Sequence, residues 1–135
     1  MKNRSELRDI IIKILYQVNI YKDSNVSYDL DGVIKEQLEI DNNFVRESID
    51  GVFSHQDKII SLSNKYLKNW DYSRLSKVDQ AILSLAIYEL MWSDVPSLVA
   101  INEAIELAKK YSDDPVVKMI NGVLDKIYHE ELKEK

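Results

Sequence analysis

Residues 78–92 read VDQAILSLAIYELMW, and Val78, Ala81, Ile82, Leu83, Leu85, Ala86, Ile87, Leu90 and Met91 put apolar side chains on nearly every side of a helix. A helix that is apolar all round is stable only where protein covers it on all sides. The segment is therefore expected at the buried centre of an all-α domain. Two amphipathic segments follow it, separated by SDVP and SDDP, and both can pack on it. Only three glycines and two prolines occur and 30% of the residues are charged, which favours helices over a turn-rich sheet. With 135 residues the chain is most simply one domain, 1–135, large enough for a core without covalent staples.

Several chemistries are excluded or unsupported. The chain has no cysteine, which removes disulfides, zinc–thiolate sites and cysteine nucleophiles and is compatible with a reducing cytosol. No apolar run approaches the roughly 20 residues that cross a bilayer, and the first residues lack a signal peptide's apolar core. A cytoplasmic protein that does not enter the membrane is expected. His55 and His129 stand alone, without acids or histidines at ligand spacing, and read as ordinary surface or edge residues. Three scattered glycines make neither a phosphate-binding loop nor a dinucleotide fingerprint. No metal, cofactor or catalytic residue is expected, although a site can assemble in space from distant residues.

The net charge of −5 argues against bulk electrostatic coating of nucleic acid, but the charge is unevenly spread. Residues 1–22 carry Lys2, Arg4, Arg8, Lys13 and Lys22 against Glu6 and Asp9, a net +3 that leaves −8 on the rest. A basic end on an acidic body can bind RNA or another acidic partner there; an ordinary solvated helix face is the alternative.

Taken in order, Asn3 with Glu6 reads as a capping box. Leu7, Ile10, Ile11, Ile14, Leu15 and Val18 then predict an amphipathic helix over about 4–21. Tyr16 lies two turns beyond Arg8, where an aromatic ring either closes the edge of the core or stacks a base. Ser27 is the expected cap of a short helix carrying Leu30, Val33, Ile34 and Leu38. One long helix is expected from Phe44 to Leu67, loosened at Gly51. Trp70, Tyr72, Arg74 and Leu75 sit in a connection that packs as a lid or forms a contact surface. Ser76 with Asp79 marks the start of the central helix. Pro96 stops its continuation, and Ser97 begins a helix whose Asn102 and Glu103 are expected to bond a neighbouring helix end. Asp114-Pro115 predicts another helix start with Asp114 as the cap. Gly122, in the middle of that last helix, is expected to allow a close backbone contact. The charged residues 130–135 are expected to fray.

Five motifs carry a family resemblance: LYQ at 15–17, VDQAILSLAIYEL at 78–90, VP at 95–96, VAINEAIELAKKY at 99–111 and KMINGVLDKI at 118–127. Together they resemble the NusB family of transcription antitermination factors, closely over 70–127, moderately over 4–17, and elsewhere by helix layout. The resemblance implies a NusB-like fold of two packed helical bundles, with about six to seven helices around the buried central one. It implies binding of boxA RNA together with the small-subunit ribosomal protein NusE. It further implies that the pair joins an elongation complex with other Nus factors and RNA polymerase, in support of ribosomal RNA transcription. By position, Arg4, Arg8, Tyr16 and Lys118 would serve RNA, and Asp79 would serve the ribosomal protein.

The departures concern charge. The family usually has two or three adjacent arginines where this chain has Arg4-Ser5 followed by Glu6, and often an arginine where it has Ser84. Fewer cations release fewer counterions, so weak RNA binding alone, rescued by the ribosomal partner, is expected. The alternative is a protein-binding adaptor of the same fold with little RNA affinity. A third reading, the NusB-like domain of an RNA methyltransferase, carries little weight because no cofactor-binding region is present.

Overall fold

The computed structural model describes residues 2–132, and among these all regular structure is helical. Seven α-helices follow one another: α1 Arg4–Asp23, α2 Leu30–Gln37, α3 Asn43–Ser54, α4 Gln56–Tyr66, α5 Lys77–Trp92, α6 Ser97–Tyr111 and α7 Asp114–Glu131. A single 3₁₀ turn, Tyr72–Arg74, precedes α5.

As expected from its composition, α5 is the hub. It packs against α1, α3, α4, α6 and α7, and Ala81, Leu83, Ile87 and Leu90 are wholly removed from solvent. On one side α1, α2 and α3 form a bundle; on the other, α4, α6 and α7 do, and α5 belongs to both. One contiguous apolar cluster, from Leu7 to Ile127, fills the space between the helices.

The local signals set most helix starts. Asn3 accepts from the Glu6 N–H at 2.9 Å while Glu6 reaches back to the Asn3 N–H, completing the capping box. Ser76 caps α5 by accepting from the Asp79 N–H. Two caps differ from expectation by one or two residues. Asp29 rather than Ser27 caps α2, through the Gly32 N–H, and Asp113 rather than Asp114 caps α7, through the Val116 N–H. In both cases an aspartate stands three residues before the amide it accepts from, the span a cap needs.

The long helix expected over 44–67 is two helices. His55 ends α3 and begins α4, with its ring Nδ1 2.8 Å from the Gly51 carbonyl and its face stacked on Trp92 at 4.0 Å between centroids. The break lets α3 lie on α1 and α5 while α4 turns to α7. Gly51 has a packing reason rather than a loosening one: a Cβ there would fall inside the Tyr88 ring.

Gly122 has no such reason. It lies on the exposed side of α7, and nothing stands within 4 Å of where its Cβ would be. The expected close contact is absent among the described residues, so its cost of about 1 kcal/mol relative to alanine is not offset by packing there. The helix α7 continues through Glu131, so Glu130 and Glu131 do not fray; residues 133–135 lie outside the described residues.

The connection before α5 is divided in role. Tyr72 and Leu75 are buried, with the Tyr72 hydroxyl 2.7 Å from Ser84 Oγ, whereas Trp70 is 54% exposed. Ser84 therefore faces the interior. Its place is one where a cation would be buried, so the serine does not thin a surface charge.

Candidate nucleic-acid interface

Arg4 and Arg8 both leave α1 toward the end of α5, but their surroundings differ. Arg4 is exposed, with its guanidinium carbon 4.4 Å above the centre of the Phe44 ring at the start of α3. It stands at the edge of a cavity of about 290 Å³ shared with Phe44, Glu47, Tyr88, Trp92 and Asp94. An arginine over a ring keeps its outer N–H groups available to a phosphate.

Arg8, one turn on, is 3% exposed. Its Nε donates to both carboxylate oxygens of Glu89, at 3.0 and 3.2 Å, and its Nη1 lies 3.9 Å from Glu103. Glu89 is itself only 1% exposed, and burial holds its carboxyl above the ordinary value despite the arginine beside it. Arg8, which the family resemblance placed among the residues that serve RNA, therefore has its guanidinium buried against Glu89. Its side chain joins α1 to α5, because a guanidinium inside the bundle has to be paired there. Glu103 also accepts from the Ser5 hydroxyl at 2.7 Å, which meets the expectation that Glu103 bonds a helix end. Asn102 is exposed.

Lys13 and Lys22 of the basic end are also engaged within the fold, the first with an acid and the second with a ring. Lys13 and Lys110 reach the Asp9 carboxylate at 3.3 and 3.1 Å, the Tyr111 hydroxyl donates to it at 2.5 Å, and Lys22 lies over the Phe53 ring. Burial pushes the Asp9 carboxyl up, but the hydrogen bonds from Tyr111, Lys110 and Lys13 outweigh it and hold the group below the ordinary value.

Tyr16 lies eight residues past Arg8, about 12 Å along α1 at 1.5 Å per residue. It is 43% exposed and borders an apolar hollow of about 340 Å³ with Ile12, Lys13, Val78 and Tyr111. Asp79, next to Val78, is buried and accepts a short hydrogen bond from the Ser112 hydroxyl. Lys118 is exposed near the start of α7, just beyond Ser112. Tyr16, Asp79 and the start of α7 thus gather where α5 begins and α6 ends. Arg4 and Arg8 lie toward the opposite end of α5. The five residues named from the sequence form two groups rather than one.

Sequence reasoning missed Glu89 and Phe44. An acid deep inside an otherwise apolar helix, far from its cap, was the available signal for Glu89, since such a charge needs a partner. For Phe44 no local signal existed, because its ring became a platform only when α3 met α1. Among the described residues no group of three or more His, Asp or Glu side chains could hold a metal ion, and no helix is long and apolar enough to cross a membrane.

The NusB family model matches residues 5–129. A transcription antitermination protein NusB from Acetivibrio thermocellus is 43% identical over 126 residues, covering 92% of this chain and 87% of that protein. Among solved structures, a T. maritima NusB superposes with a TM-score of 0.83 at 36% identity, covering 96% of this chain and 92% of the other. Antitermination factors NusB and NusE in complex with dsRNA supply another, with a TM-score of 0.78 at 26% identity, covering 93% of this chain and 96% of that one.

Proposed function

The chain belongs to the NusB family, and from that premise we propose that it is a transcription antitermination factor. It binds boxA RNA together with the ribosomal protein NusE and joins RNA polymerase and other Nus factors on ribosomal RNA operons, in the cytoplasm. The observation that carries this is likeness along nearly the whole chain to a protein solved with both NusE and RNA. The chain acts by binding rather than by catalysis, and residues 1–135 work as one RNA-binding domain around one apolar core.

In this reading Arg4 and Lys118 meet phosphates, and Arg8 is a positioning residue that fixes the start of α1 against α5. Tyr16 borders the hollow beside Asp79, so its ring serves both the RNA and the protein that covers the start of α5. With Arg8 paired and Lys13 and Lys22 engaged, few N-terminal cations are free to release counterions. RNA binding by the chain alone is weak, and NusE strengthens it through a shared surface.

Titration of a boxA leader RNA at two salt concentrations, with and without NusE, tests this. Binding that tightens sharply with NusE and fails on a scrambled RNA is the expected result. The internal pairing of Arg8 favours one other reading, a protein-binding adaptor. NusE capture that is insensitive to RNase, with no preference for boxA, would establish the adaptor instead.

A further inference from the structure

Lys118, Gly122 and Lys126 are four residues apart on α7, which places them in one row inclined along the helix surface. All three are exposed. The row spans about 12 Å at 1.5 Å per residue. At its far end Lys126 borders a hollow of about 380 Å³ with Lys65, Tyr66, Leu67, Lys68, Glu130 and Glu131. Lys65 is paired with Glu131 at 2.8 Å, and Lys58 lies close enough to Glu131 to lower its pKa. The side chains of Lys68, Lys118 and Lys126 form no ion pair or hydrogen bond among the described residues. Three lysines thus fall on one side of an acidic protein, brought together from segments about fifty to sixty residues apart, with Asp114 and Glu130 at the two ends of the row.

Gly122 gives the row its meaning. A glycine in the middle of a helix is expected where another backbone comes close, and none of the described residues does so. The closeness is left for something outside the chain. Unpaired lysines on either side give that occupant its charge, and a phosphodiester backbone fits both features.

We infer that the exposed side of α7 is a track for the RNA backbone, running from Lys118 over the bare helix at Gly122 to Lys126 and Lys68. The inference rests on the proposed RNA-binding role and extends it beyond Lys118 to the hollow between α4 and α7. Phosphates lie against the lysines, and the missing Cβ lets a sugar or phosphate reach the helix surface. No base is read there, so the track adds affinity that is independent of sequence.

The test uses the full chain with NusE and a boxA leader RNA carrying its flanking nucleotides. In a Lys68→Ala/Lys126→Ala variant the slope of log K against log salt is expected to shrink by about 1.4, at about 0.7 per phosphate contact on a single strand. Gly122→Ala is expected to raise the melting temperature by about 2–4 °C, because its methyl meets nothing in the chain, yet to weaken RNA binding several-fold. Opposite signs for folding and binding are what a merely structural glycine would not give. Unchanged affinity and slope in both variants, while the wild type still prefers boxA, would overturn the track and leave the proposed function standing. Loss of boxA preference in the wild type would overturn both. Loss of NusE binding by Gly122→Ala in the absence of RNA would also overturn the track, by giving this face to the protein.

Discussion

Arg8 shows how far a residue's role depends on its partner. From sequence it is one of five cations at a basic end; in the fold it is a buried group whose Nε bridges both oxygens of Glu89. Arg8→Ala would leave that carboxylate buried and unpaired, a loss of about 3–5 kcal/mol. Urea unfolding followed by helical circular dichroism should show it, so any loss of RNA binding in that variant comes with a loss of folding. Replacing both partners, as Arg8→Met/Glu89→Leu, should recover most of the stability, since a buried pair and an apolar pair of similar volume are often near equal. Asp9 offers a test by pH. Its folded pKa is depressed, so the stability it adds is present above the ordinary value of 3.8 and is lost as pH falls through the folded value. Asp9→Asn should therefore cost about 1 kcal/mol at neutral pH, through weaker hydrogen bonds to Tyr111 and Lys110. That difference from wild type should disappear in thermal melts near the acid limit. Glu89 works in the opposite direction: its raised pKa means that ionising it opposes folding as pH climbs above 4.5.

At the scale of helices, two glycines in similar sequence settings have opposite roles. On α3, Gly51 makes room for the Tyr88 ring of α5, and Gly51→Ala should destabilise by about 1–3 kcal/mol through overpacking. On α7, Gly122→Ala should stabilise by about 0.4–1 kcal/mol by narrowing the unfolded ensemble. Thermal melts of the two variants should move in opposite directions. The break at His55 belongs to the same scale. No proline or glycine marks it, and the helical pattern runs through it, yet α3 and α4 pack on different neighbours. The stack of His55 on Trp92 and its contact with the Gly51 carbonyl hold the corner.

For the whole molecule, what matters is where charge remains after folding. Three of the N-terminal cations are engaged within the fold, Arg8 with Glu89, Lys13 with Asp9 and Lys22 over the Phe53 ring, while Arg4 over Phe44 keeps its outer N–H groups for a phosphate. Binding of RNA by the chain alone should therefore show a shallow salt dependence, and addition of NusE should strengthen it, as titrations at two salt concentrations would reveal. The apolar hollow at Tyr16 lies beside Asp79, at the end of α5 remote from Arg4. Tyr16→Ala should leave the melting temperature within a few degrees of wild type, because the ring is half exposed, while lowering affinity for the NusE–RNA pair.

The sequence by itself determined the class of fold, the central place of α5 and most helix limits. Those depend on local periodicity, caps and proline, which act within a few residues. It also carried the motifs that identify the family. Only the tertiary structure decided which charges are free. Whether Arg8 meets water or Glu89, and whether Ser84 faces the surface or Tyr72, depends on residues far away in the chain. Spacing along one helix gives the face of a side chain but not what the fold lays against it. For the same reason Gly51 and Gly122 could not be told apart in advance: one ring from α5 makes the first necessary, and open space leaves the second to a partner.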